Sequence, residues 1–177
     1  MKLETLLLEK RSNIVTHWLD LIFETYPPDA QRFFKSRADR FDNPVGRTIT
    51  EETEKLFDQL LRGDEAGLEN ISPALENIIR IRATQDFTPS QAIGFIFLLK
   101  RSIREVLKKE MDHKDILEDR LRFESRIDDL ALTAFDIYMK YREKLYEIKA
   151  DQAKKQVSGL LRQKGLICEV PEWRPIS

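Results

Sequence analysis

Apolar side chains recur at helical spacing through most of the chain. Leu3, Leu7, Ile14, Trp18, Leu21 and Ile22 form one stripe with charged residues between them, so residues 2–26 are expected to make a single amphipathic helix. Tyr26-Pro27-Pro28 ends it, and Pro28 suits the first turn of a second helix over about 28–40 that presents Phe33 and Phe34. Asn43 precedes a proline and is pushed away from helical angles, which makes 41–46 a loop. Thr48 or Thr50, ahead of Glu51-Glu52, is the expected cap of a third helix. That helix runs to about Leu61 and shows Leu56, Phe57, Leu60 and Leu61, with Arg62-Gly63-Asp64 as its stop. Ser72-Pro73, with Glu76 placed to complete a cap, opens a fourth helix carrying Leu75, Ile78, Ile79 and Ile81.

The clearest start lies at Thr88-Pro89-Ser90-Gln91: a Thr cap, proline in the first turn, and Gln91 three residues after the cap. The helix it opens, about 89–111, is apolar nearly all round in its first half, from Ala92 to Leu99, and so belongs inside a helical stack. Its second half turns amphipathic, with Ile103, Val106 and Leu107 facing inward. After a turn at Asp112-His113-Lys114, residues 115–158 contain no Gly and no Pro. A continuous helix there would be about 66 Å long, more than one compact domain needs to cover a face. Leu117, Leu121, Ile127, Leu130, Ala131, Ala134 and Tyr138 have core-like spacing, and Tyr138, Tyr141, Leu145, Ile148 and Gln152 continue as a thinner stripe near 3.5 residues apart. The alternative is a break near residue 140 with the chain folding back. Gly165 closes the helical region, and the tail from Leu166 to Ser177 is expected to be irregular.

Composition narrows the class. The chain has 177 residues, 41% hydrophobic and 34% charged, with only 6 Gly and 7 Pro, which fits one all-α domain of about six helices over 1–150 and an appendage over 151–177. The longest apolar run, residues 92–99, falls far short of the roughly 20 residues that span a bilayer, and Leu6-Leu7-Leu8 is too short for a secretory core. The single Cys168 excludes an internal disulfide framework. A cytoplasmic location follows as the expectation. The net charge of −1 gives no general draw to nucleic acid or membrane, and neither is an expected partner. The charge is uneven, however. Residues 50–76 hold eight acidic against two basic residues (−6), whereas 139–164 hold eight basic against three acidic (+5).

Catalytic chemistry finds little support. His17 stands beside Trp18 on the first helix and His113 lies in a turn, neither a place for a proximal haem ligand. Glu110-Met111-Asp112-His113 spells one Glu-x-x-His unit, but a di-iron bundle needs two, with two further Glu. Cys168 has no histidine near it in sequence, and Gly63 and Gly67 do not make a phosphate loop. Glu51-Glu52 and Asp128-Asp129 are adjacent pairs that point to different helix faces. No catalytic residue, metal or cofactor is expected. Trp18, Phe57, Phe95 and Phe97 are candidates to line a cavity, and core packing is the competing reading of the same residues.

Three stretches carry a family resemblance: Tyr26-Pro27, Arg40-Phe41-Asp42-Asn43-Pro44-Val45-Gly46, and the run from Phe87 to Lys100. Together they resemble the RsbRD-type N-terminal sensor domain of stressosome proteins, co-antagonists of the RsbT kinase, over about residues 1–150. The resemblance implies a globin-like, haem-free, dimeric fold whose long last helix leads out of the sensor. It carries over Asn43, Pro44, Gly46, Pro89 and Gln91 as structural positions only. The stretch after residue 165 is too short for a STAS output domain, so a free-standing sensor is expected. The resulting expectation is a non-enzymatic signal-sensing or protein-interaction module in a stress response. It would form a homodimer along a seam of Tyr138, Tyr141, Leu145 and Ile148 and engage a further, unidentified protein. The alternative is a binding protein for a small apolar ligand or cofactor.

Overall fold

The computed structural model describes residues 3–35, 43–62, 67–85, 87–110 and 116–165, with only the backbone at residues 35 and 67–72. Every regular element among them is helical: α1 (Leu3–Glu9), α2 (Arg11–Glu24), α3 (Pro28–Lys35), α4 (Pro44–Arg62), α5 (Gly67–Thr84), α6 (Pro89–Val106) and α7 (Leu117–Gln163). By contact the chain divides into two units, Met1–Met139 and Lys140–Ser177. His113, Cys168 and the rest of the tail, the Gly63-Asp64 stop and the Arg40–Asp42 part of the motif lie outside the described residues.

The first unit is built around α2 and α6, which pack most extensively on each other, and around the pairing of α4 with α5. Two side chains fix the α2–α6 crossing. Trp18 Nε1 donates to the Phe95 carbonyl (2.7 Å) and Ser102 Oγ donates to the Ile14 carbonyl (2.7 Å). Both residues are fully buried, so each polar group meets the partner it needs once water is gone. Leu7, Ile14, Ile22, Leu56, Phe57, Ile78, Ile96, Leu99, Ile127 and Leu130 fill the remaining core.

Four boundaries differ from the periodicity reading. The expected first helix divides into α1 and α2 at Lys10, with no glycine or proline to mark the place; Leu3, Leu6 and Leu7 are buried on α1, which also contacts α4. The third helix starts at Pro44, and Asn43 rather than a threonine caps it, accepting from the Gly46 backbone N–H (2.9 Å). Thr48 and Thr50 lie inside the helix and return their hydroxyls to the carbonyls of Pro44 and Gly46 (both 2.9 Å). The fourth helix begins at Gly67, so Pro73 falls within it rather than opening it. The expected 89–111 helix ends at Val106 and gives way to turn residues 107–110. At Thr88 the capping box forms as the sequence indicates: the Thr88 backbone N–H donates to Gln91 Oε1 (3.0 Å), and the Gln91 N–H donates to Thr88 Oγ1 (3.4 Å). After residue 116 the chain forms one uninterrupted helix of 47 residues, with no fold-back at residue 140.

Asn43 also joins α4 to α3, because its Nδ2 donates to the carbonyls of Phe33 (3.2 Å) and Phe34 (3.3 Å). A Cβ on Gly46 would stand 2.5 Å from Asn43 Nδ2 and 2.6 Å from its Oδ1. A helical glycine ordinarily costs about 1 kcal/mol relative to alanine. Here the sign should reverse: Gly46→Ala is expected to lower stability by about 1 kcal/mol by displacing the cap. In an Asn43→Ala background the same change should stabilise. Urea denaturation of the four proteins checks this, and a stabilising Gly46→Ala in the parent chain would contradict it.

Candidate functional site: a caged arginine at the root of the long helix

α5 presents Leu75, Ile78, Ile79 and Arg82 on one face, and all four are completely buried. The Arg82 guanidinium sits over three rings, 5.2 Å from the centre of Tyr26, 4.9 Å from Phe87 and 5.0 Å from Phe95. One terminal nitrogen donates to the Gln91 carbonyl in the first turn of α6 (2.9 Å) and the other to Thr25 Oγ1 at the end of α2 (3.1 Å). Aromatic faces offer negative potential to a cation that has lost its water, so the cage offsets part of the desolvation. Burial nonetheless pulls the Arg82 pKa below its ordinary value, with Tyr26 acting in the opposite direction. Burial likewise raises the Tyr26 phenol, against a smaller opposing pull from Arg82. Arg82 Nε is buried without a hydrogen-bond partner.

A hydrogen bond joins this cluster to α7. Tyr138, only 2% exposed, donates its hydroxyl to the Phe87 carbonyl (2.7 Å), while the Phe87 ring forms a wall of the arginine cage. On the other side the aromatic row continues from Phe87 through Tyr26 (5.1 Å) to Phe34 (4.9 Å) and Phe23. The ends of α2 and α5, the start of α6 and residue 138 of α7 therefore share a single polar and aromatic junction.

The sequence-derived candidates fall in several places. Asn43, Pro44 and Gly46 form the α4 start, and Pro89 and Gln91 form the α6 start, where the Gln91 carbonyl is also an Arg82 ligand. Trp18, Phe57 and Phe95 are buried in the core, whereas Phe97 is 46% exposed with Lys100 Nζ 5.9 Å from its ring centre. A cleft of about 210 Å³ lies elsewhere, between Leu3, Glu4 and Leu7 of α1 and Asp119, Phe123 and Arg126 of α7. Of the expected seam, Tyr138 is buried and spent on Phe87, Tyr141 and Leu145 are half-buried, and Ile148 is exposed. His17 Nε2 meets Glu105 (2.8 Å). Among the described residues no group of three or more His, Cys, Asp or Glu could hold a metal ion, and no helix is long and apolar enough to cross a membrane. Arg82 went unread, although its signal is in the sequence: it stands at i+7 from Leu75 and i+3 from Ile79, a charge in phase with an apolar stripe.

The guanidinium's forked donors, rather than its charge alone, should hold the junction. Arg82→Lys keeps a buried charge and loses the fork, and is expected to cost about 3 kcal/mol in urea denaturation. Arg82→Met removes the charge at similar length and should cost about half as much. A lysine variant as stable as the parent would contradict this.

Comparison with known proteins gives the junction a family context. A protein of Archaeoglobus fulgidus described as uncharacterized is 29% identical over 143 residues, covering 78% of this chain and 82% of its own length. No solved structure matches. The profile of the RsbT co-antagonist protein RsbRD N-terminal domain matches residues 12–153, a span that takes in Asn43-Pro44, the α6 start, Arg82 and Tyr138, and the chain belongs to that family.

Proposed function

We propose that this chain is a non-enzymatic regulatory module that reports the packing state of its helical core through α7. Membership of a sensor-type rather than a catalytic family supports the reading. The observation that carries it is the Tyr138–Phe87 bond (2.7 Å), which joins the caged arginine to α7 one residue before the first unit ends. A two-state change in the cage needs no chemistry to be transmitted, since packed side chains move as a unit and α7 is continuous through residue 163. The family is named for co-antagonists of RsbT, and regulation of such a kinase in a stress response is the pathway to test first.

The expected homodimer finds its best support on a face of the first unit other than the expected seam. Lys100 pairs with Asp128 (2.7 Å) and Arg104 with Glu124 (2.8 Å), so α6 and α7 run antiparallel there and Phe97 comes level with the turn of α7 that bears Leu132. Leu132 is 68% exposed, and Phe135, Met139 and Phe97 are exposed as well. Contiguous apolar side chains rimmed by charges suit an isologous contact about a two-fold axis.

Two outcomes are expected. Tyr138→Phe should raise amide exchange in α7 around residues 130–145 about tenfold, leaving α2 and α6 unchanged; unchanged α7 exchange would contradict the relay. In light scattering, Leu132→Lys combined with Phe135→Lys should convert a dimer to a monomer, and a parent chain that is already monomeric would remove the dimer from the proposal.

A further inference from the structure

In the second unit α7 continues as helix from Lys140 to Gln163, and the surface of that stretch favours one kind of partner. From Tyr146 to Gly165 every residue is exposed, including Ile148 at 46%, Val157 at 55% and Leu160 at 62%. Residues 140–164 carry eight basic side chains, Lys140, Arg142, Lys144, Lys149, Lys154, Lys155, Arg162 and Lys164, against Glu143, Glu147 and Asp151. Leu145 and Ile148 stand at successive inward positions of a 3-4 repeat that also takes in Tyr141 and Gln152, a narrow stripe of the width that packs against one other helix. In that repeat the flanking positions are held by Arg142, Lys144 and Lys149, with Asp151 the acidic exception.

Those flanks argue against a second copy. Side by side and parallel, Lys144 of one chain would face Lys149 of the other; antiparallel, with Leu145 against Ile148, Arg142 would face Lys149 while Lys144 met Asp151, a balance of repulsion and attraction that a partner with acidic flanks improves on. A membrane surface would need a broad apolar face, whereas Lys144 and Lys149 border this stripe on both sides. A nucleic acid would leave Leu145 and Ile148 without an apolar partner.

We propose that residues 141–152 of α7 form a docking seam for a helix of a different protein that carries apolar residues at its own seam and Glu or Asp at the flanks. The proposal rests on the reading of α7 as the output element and names the chemistry of what it engages.

The full chain can be titrated against two fluorescent synthetic helices that share leucine seam positions and differ only in Glu or Lys at the flanks. The Glu helix is expected to bind about tenfold more tightly than the Lys helix, and to weaken in about 0.5 M salt. Leu145→Ala with Ile148→Ala, which keeps the charge and favours helix, should weaken the Glu helix about tenfold. Lys144→Glu with Lys149→Glu should reverse the preference, and circular dichroism verifies that each variant keeps its helix content. Equal binding of the two helices, no binding of the Glu helix, or an unaffected alanine variant would overturn the proposal. So would tighter binding to phosphatidylserine vesicles or to a single-stranded RNA oligonucleotide. Failure of the relay reading has a different signature: the Glu helix binds with its preference intact while Tyr138→Phe leaves α7 exchange unchanged.

Discussion

A guanidinium moved wholly out of water is among the most expensive groups a small domain can bury, and at Arg82 the surrounding fold offsets part of that cost while leaving Nε without a partner. Three rings from two different stretches of chain enclose its faces, and two oxygens from the end of α2 and the start of α6 take its terminal donors. Each contributor is held in turn. Phe95 is fixed by Trp18, which stacks 6.3 Å away and bonds to its carbonyl. The Gln91 carbonyl is fixed by the Thr88 capping box, and the Phe87 carbonyl by Tyr138. The arginine thus makes the relative positions of four helices mutually dependent. An apolar core of the same size would tolerate slippage between them, because hydrophobic contact has no direction.

That dependence gives α7 two different characters. Up to Tyr138 it contributes Phe123, Ile127, Leu130, Ala134 and the tyrosine itself to the first unit's core. In the second unit it makes no core and shows a stripe with basic borders. One element thus belongs to a packed interior in one stretch and is exposed in the next, the arrangement on which the proposed output role rests, in a chain of the RsbRD N-terminal domain family.

How much of this could be read from the sequence depended on whether the signal was local. The α6 start was legible because Thr88, Pro89 and Gln91 act on their own backbone. The length of α7 was legible because nothing in 117–163 opposes a helix except its single Gly159 near the end. The α4 start was misread because threonines ahead of acidic residues also occur inside helices, where their hydroxyls bond back to carbonyls, while the non-helical bias of Asn43 is what a cap requires. The break at Lys10 has no local mark, since neither glycine nor proline stands there and helical bonds run to either side of it (Lys10 N–H to the Leu6 carbonyl and Ile14 N–H to the Lys10 carbonyl, both 2.9 Å). Phe97 shows the limit of composition: a helix apolar on all sides does not declare which side the fold will leave open. The candidate site was the least legible part, since Arg82 needed helical phase and its cage needed Tyr26 brought together with Phe87 and Phe95 from a distant stretch of chain.

Arginine side-chain NMR tests the caged guanidinium most directly. In ¹⁵N-resolved spectra of the full chain, one Nε–Hε resonance should be assigned to Arg82 by its loss in Arg82→Met, lie upfield from the ring currents of Tyr26, Phe87 and Phe95, and exchange with water far more slowly than the surface arginines. A resonance for Arg82 at the position and exchange rate of an exposed arginine would mean that the charge lies in solvent, and would contradict the junction on which the proposed role of α7 depends.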